Sequence, residues 1–315
     1  MPAVFSLPQP KLVIFTSDEM FERGLEVCGH GGRYRSGNKQ QLRRFMASYG
    51  SDPIVLAQIW EDLQTTHVDE ARMKLTPEHL DHFLMSHYFV KQYPVEEVLA
   101  GVFNYCEKTC RKWCWEFLTK MQQLKKEKIV WPEEWTNPDD PNTPTLLYSV
   151  DGVHCRIPEP KHPTLSKNPK YYSHKDKNPG LSYELALSLW ESKIVWVKGP
   201  AKASQHDITT FRDKKNTPSQ GLKQKTPKGK RGIADKAYRG EKKILSVPNS
   251  HDPPDLRKFK SRSRARQEAL NARIKVFNVL NNRFRHGIEK HQIVFEAVCV
   301  IVQYQFDNGS PLFDV

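Results

Sequence analysis

Residues 131–144, WPEEWTNPDDPNTP, hold four prolines and four acids and interrupt every hydrophobic period in the chain. Prolines at that density remove backbone donors and fix φ, so neither a helix nor a central strand can run through them. The stretch is read as a linker, and two differently textured parts must fold on either side of it.

Upstream the pattern is helical. In DPIVLAQIWEDLQTT and TPEHLDHFLMSHYFV apolar residues recur at three- and four-residue spacing, and Thr76 with Pro77 predicts a cap and a first-turn proline. Residues 1–90 are therefore expected to be a helical scaffold, with HGGRYRSGN as a loop whose arginines have the chemistry to meet phosphate. Residues 91–130, from YPVEEVLAGVF to the end of a longer helix, read as a helix-turn-helix-like segment with its turn near Asn104 and Tyr105. Cys110, Trp113, Cys114, Phe117, Leu118 and Met121 form the inward stripe of its second helix. Lys108, Arg111, Lys112 and Trp115 are left facing outward, either to enter a DNA groove or as the solvated face of an ordinary helical hairpin. Cys106, Cys110 and Cys114 lie on or beside the stripe and are read as small buried side chains rather than metal ligands. His79, His82 and His87 lack a ligand set at zinc spacing.

Downstream, in residues 145–315, TLLYSVDGVHCRIPEP, GLSYELALSLWESKIVWVKGP and KILSVP are β-branched and aromatic runs separated by glycine and proline, the texture of sheet strands. A helix is expected from about Ser263 to Phe284, followed by the apolar helix HQIVFEAVCVIVQYQF. Strands with interleaved and following helices predict an α/β domain. Charge divides at the same place. Residues 1–150 carry 17 Lys and Arg against 20 Asp and Glu, while 151–315 carry 32 against 16, so the basic second part calls for a polyanion partner. No apolar run approaches the roughly 18 residues needed to span a bilayer, and no secretory signal is visible, so an intracellular chain with six reduced cysteines is expected.

Within this basic part three acids resist a surface reading. Asp151 follows the strand-like LLYSV and precedes Gly152, Asp235 follows GIA, and Glu268 lies on a helix on the side away from Leu270. Each alone is an ordinary solvated acid. Together, two strand ends and a helix converge three carboxylates into a hard oxygen site suited to two Mg²⁺ or Mn²⁺ ions acting on a phosphodiester. Eleven Lys and Arg against three acids in 212–242, and eleven against two in 257–290, supply the surface to hold DNA backbone. The candidate phosphate contacts are Lys108, Arg111, Lys112, Lys228, Lys230, Arg231, Lys236, Arg239, Arg262, Arg264 and Lys275.

At these residues the chain resembles a DDE superfamily endonuclease of the PIF/Harbinger type. The resemblance rests on SVDGVHCRIPEP, YYSHKDKNPGLSYELAL, GPAKASQHDITTFR, IADKAYRG, RARQEALNARIKVFNVLNNRFRHG and the ending HQIVFEAVCVIVQYQFDNGSPLFDV, in that order. It implies an RNase H-like fold with Asp151, Asp235 and Glu268 as the catalytic, metal-binding triad. Asp207 matches the His-Asp element and is read chiefly as an N-cap for the helix beginning ITTFR, with catalytic support second. The activity implied is metal-dependent cleavage of double-stranded DNA at transposon ends, with strand transfer to target DNA. A nucleus-located homo-oligomer with a separate Myb-like DNA-binding partner goes with it. The alternatives are a domesticated, catalytically inactive DNA-binding protein and a structural assembly protein with a basic tail. "KQKTPKGKRG" also has the composition of a nuclear import signal.

Overall fold

The computed structural model describes residues 12–31, 39–136, 144–160, 168–213 and 221–315. The arginines of HGGRYRSGN and the middle of the 131–144 linker lie outside the described residues. Seven helices come first: α1 (Ser17–Val27), α2 (Lys39–Tyr49), α3 (Pro53–Thr65), α4 (His79–Gln92), α5 (Glu96–Phe103), α6 (Glu107–Gln123) and α7 (Lys125–Lys128). Then follow β1 (Leu146–Arg156), β2 (Tyr172–Ser173), β3 (Asn178–Ser188), β4 (Ile194–Lys202), α8 (Asp207–Arg212), α9 (Leu222–Lys225), β5 (Arg231–Ala234) and β6 (Leu245–Ser246). The chain closes with α10 (Pro254–Lys275), α11 (Asn278–Asn281) and α12 (His291–Asp307). No described helix is long and apolar enough to cross a membrane.

Local chemistry fixes the helix ends. Thr16 and Glu19 form a reciprocal capping box on α1, and the Asp52 carboxylate accepts from Ile54 N–H ahead of Pro53 on α3. Thr76 and Pro77 do not start α4 as the sequence suggested. They form a turn in which Thr76 N–H donates to His79 Nδ1 (3.0 Å), and the helix begins at His79. Between α5 and α6 the turn falls at Asn104, whose left-handed φ of 54° ends α5. The α6 stripe is buried at Cys110, Cys114, Phe117, Leu118 and Met121, whereas Cys106 is exposed at the N-cap. Of the outward set, Trp115 is partly buried against Phe89 and His286, because α6 packs between α4 and α12. His82 stacks on Trp113 at 4.7 Å, and His87 is wholly buried, so neither is a surface residue of α4.

The sheet is mixed, with order β2-β3-β1-β5-β6 and β4 also on the outer edge of β3. β3 is antiparallel to β1 and to β4, while β5 is parallel to β1 and β6 to β5. Helix α10 starts at Pro254, well before Ser263. Its first turns carry Asp255, Arg257, Lys258 and Ser261 outward, so no apolar stripe announces them. Pro254 itself sits at the first helical position, where its missing N–H costs nothing.

α12 is buried on almost every side, from Val294 through Tyr304. A helix of that kind belongs at the centre of a fold. It packs on β4 and α10 on one side and on α3, α6 and α7 on the other. One hydrophobic cluster accordingly runs from Met20 in α1 to Leu312, taking in Val153, Leu185 and Ile194 of the sheet. Polar bonds stitch the same seam: Tyr304 O–H donates to Asp62 (2.6 Å), and Lys125 pairs with Glu296 (2.6 Å). A second cluster, with Tyr148, Val150, Ala186, Phe211 and Tyr238, fills the opposite face of the sheet beneath α8.

Candidate active site

The sheet opens where β5 stops. Ala234 is the last residue of β5 to pair with β1, opposite Val150, so the chain leaves the sheet at Asp235 directly beside Asp151. A crevice at the carboxyl end of a parallel strand is where α/β sheets present functional side chains. Asp235 is held there by its own turn: its Oδ1 accepts from Ala237 N–H (2.7 Å), capping the 3₁₀ turn Lys236–Tyr238, and Tyr238 is buried against Phe211.

Asp151 is fixed from the other side. α10 is tied to the sheet by Ser149 Oγ donating to Gln267 Oε1 (2.7 Å) and by Arg266, which spans the carbonyls of Ser188 and Glu191. That anchoring sets Asn271 one turn further on, where its amide donates to Asp151 Oδ2 (2.8 Å).

The third acid in the crevice is Asp207. It is the first residue of α8, but the cap position belongs to His206 and no side chain caps the helix, so the expected N-cap role of Asp207 is not the one it fills. Its carboxylate instead covers Gly152. A Cβ built on that glycine would stand 2.8 Å from Asp207 Oδ1, which explains why glycine follows Asp151.

The electrostatics bind the three together. Burial pushes Asp151 up to about 6, the Gly152 N–H opposes this, and the Asp235 and Asp207 charges add to the rise. Burial also raises Asp207, followed by the Asp235 charge, with Lys175 and His206 pulling the other way. Behind them Glu184, opposite Gly152 on β3, is buried with Trp196 N–H on its Oε1 (3.1 Å), and burial pushes it up to about 8.

Glu268 stands apart from this group. Its side chain is 69% exposed and faces Arg264 at 3.9 Å, one helical turn before Asn271. Among the described residues no three His, Cys, Asp or Glu side chains are spaced to hold a metal ion. Each acid is committed elsewhere: Asp151 to Asn271, Asp235 to its own turn, Glu268 to Arg264.

The expected phosphate contacts divide in the same way. Lys108, Lys112, Lys228, Lys236, Arg239 and Arg264 are exposed. Arg111 is paired with Glu96, and Arg262 donates to the Asp314 carbonyl over the Phe313 ring. Lys230 is buried, Arg231 donates to the carbonyls of Lys242 and Leu245, and Lys275 donates to those of His154 (2.6 Å) and Leu280 (2.7 Å). Lys230 is thus buried and Lys275 held by carbonyls, while the exposed lysines and arginines remain open to solvent. What the sequence reading passed over is Lys175, in the turn between β2 and β3, whose charge acts on both Asp151 and Asp207. The only signal for it was the basic HKDK between two strand-like runs.

Residues 150–303 match the family described as DDE superfamily endonuclease. The matched segment opens one residue before Asp151 and runs through Asp207, Asp235 and Glu268 into α12. The match makes this sheet-bearing segment similar to the DDE endonuclease superfamily. No curated protein and no solved structure matches the chain. Within the matched segment Asp151 of β1 and Asp235 just past β5 lie in the same crevice, joined by Asp207 of α8.

Proposed function

We propose that the chain is a metal-dependent DNA endonuclease of the transposase type, with an RNase H-like catalytic domain. The single observation that carries this is the meeting of Asp151, Asp207 and Asp235 at the point where β5 leaves β1. Partly buried carboxylates that raise one another's proton affinity gain from a bound cation. The strand order, with β3 antiparallel to β1 and β4 to β3 on one side and the parallel β5 and β6 on the other, supports the RNase H-like reading.

Carboxylates are the donor type that hard divalent ions take, and Asp151, Asp207 and Asp235 would hold them once released from their present partners and drawn together, with Glu268 brought in from α10. Two Mg²⁺ or Mn²⁺ ions would supply an activated water and stabilise the leaving 3′ oxygen. The protein's part is to hold Asp151 through Asn271, to seat Asp207 over Gly152, and to present Lys236, Arg239 and Arg264 to the phosphates. The order of the six motifs along the chain, from SVDGVHCRIPEP to HQIVFEAVCVIVQYQFDNGSPLFDV, supports the PIF/Harbinger type, with transposon ends as substrate, strand transfer, a Myb-like partner, a homo-oligomer and a nuclear location as its companions.

The test separates binding from chemistry. Asp151→Asn and Asp235→Asn should bind DNA as the parent does in a polarisation assay and fail to nick supercoiled plasmid in Mg²⁺ or Mn²⁺. Nicking at the parent's rate by either variant would defeat the assignment. One observation favours the second reading, a domesticated binding protein without catalysis: the exposed Glu268 paired with Arg264. That reading requires the parent itself to leave plasmid intact at every metal concentration.

A further inference from the structure

Asp235 stands on a divide. Lys236 lines one cavity, of about 350 Å³, whose walls include Arg257 and Arg264, while Ala237 lines a second, of about 530 Å³, whose walls include Lys175 and His206. The second cavity also borders Gly152, Asp207 and Asn271. Asn271 spends its amide N–H on Asp151, and its buried Oδ1 has no hydrogen-bond partner. An unpaired buried carbonyl oxygen in a cavity wall calls for a donor from a ligand.

Resting on the nuclease reading above, we infer that one DNA strand crosses the site over Asp235 with one nucleotide in each cavity. Both volumes lie in the range that takes a small-molecule-sized ligand, too small for a duplex. Lys175 and His206 then hold the phosphate on the first arm, where Lys175 also offsets the Asp151 and Asp207 charges that would otherwise repel it. The base on that arm lies against the Asn271 side chain, which Asp151 holds in the cavity wall. Arg257 and Arg264 hold the phosphate on the second arm, and Lys236 bridges the two. Sequence inspection assigned Lys236 and Arg264 to DNA in general; the division into two arms, with Lys175, His206 and Arg257, comes from the cavities.

The test uses the full chain in EDTA with a fluorescein-labelled dT12 oligonucleotide, so that binding is read without cleavage. Lys175→Ala/His206→Ala and Arg257→Ala/Arg264→Ala should each weaken binding on the order of tenfold at low salt. The slope of log affinity against log salt should fall by about 0.7 for the first pair, which removes one fixed charge, and by about 1.4 for the second. Lys39→Ala/Lys74→Ala, which takes equal charge from the helical part, should leave the slope as it was. The inference is overturned if either cavity pair binds dT12 like the parent, or if the control pair weakens it as much. Plasmid nicking by Asp151→Asn is scored alongside. Its loss together with unaltered cavity pairs rejects the two-armed path alone, whereas its persistence rejects the nuclease reading itself. Melting temperatures within a few degrees of the parent exclude unfolding as the cause.

Discussion

The Asp207 carboxylate occupies the space that a side chain on Gly152 would need, 2.8 Å from the position of its Cβ. Two residues far apart in sequence are thereby made interdependent. In Gly152→Ala the obstacle is the mobile end of one side chain, so the fold should lose only about 1 kcal/mol. Asp207 must swing out of the crevice, and plasmid nicking should fall at least about tenfold while DNA affinity holds. Unchanged nicking would mean that the position of Asp207 is irrelevant to the chemistry.

Asp207→Asn distinguishes a crevice acid from a helix cap. Loss of a cap would lower stability by about 1 kcal/mol. Removal of a buried charge that Asp235 repels should instead leave the melting temperature level or raise it, with cleavage lost. Thermal denaturation beside the plasmid assay reads both.

His87 predicts an acid-labile helical layer. It is wholly buried against Phe83, neither ring nitrogen has a partner, and burial lowers it to about 3. The unfolded chain takes up the proton first, near pH 6.5, so this contribution to stability is complete above that value and drains away as pH falls toward 3. The slope from this one group approaches about 1.4 kcal/mol per pH unit. His87→Leu should raise stability at pH 5 relative to the parent and flatten the denaturant midpoint between pH 6.5 and 4. An equally steep loss in the variant would show that the acid sensitivity lies elsewhere.

The position of α12 predicts that residues 145–315 will not stand alone. Without α3 and α6, the side of α12 that carries Glu296 and Tyr304 loses its partners Gln122 and Asp62 and the apolar cover of those helices. Expressed separately, the segment should aggregate or bind a hydrophobic dye, and co-expression with residues 1–136 should return it to solution. A monomeric, cooperatively melting 145–315 fragment would contradict this.

Much of the site was legible because its parts obey local rules. GIAD is a strand end that places Asp235 beside the sheet, and the α6 stripe follows helical spacing, whereas Asp151, expected at a strand end, lies in the middle of Leu146–Arg156. Other parts lack a local signature. The early turns of α10 are polar and exposed, so periodicity missed them. Charge alone cannot tell that Lys275 is spent on two carbonyls or that Lys230 is buried. Asp207 read as a cap because serine, aspartate and their kin usually are at that spot, and its real contact lies on another strand. Glu268 was expected inside the crevice; it shares the face of α10 that carries Asn271 but lies one turn earlier, exposed and facing Arg264.

The burial of α12 also sets an order of events during synthesis. Every layer of the fold rests on a helix that follows all the others in the sequence, so α1 to α7 and the sheet emerge from the ribosome without the element that joins them. Domains generally fold as their segments emerge, and contacts of long sequence separation form late. Here the apolar faces of α3, α6 and β4 wait for translation to reach Val294 and beyond. Asp151, Asp207 and Asp235 are translated well before that point, yet the platform that holds α10 and its Asn271 against them is completed only when α12 docks. The nascent chain thus carries its three crevice acids before it has the helix that completes their support.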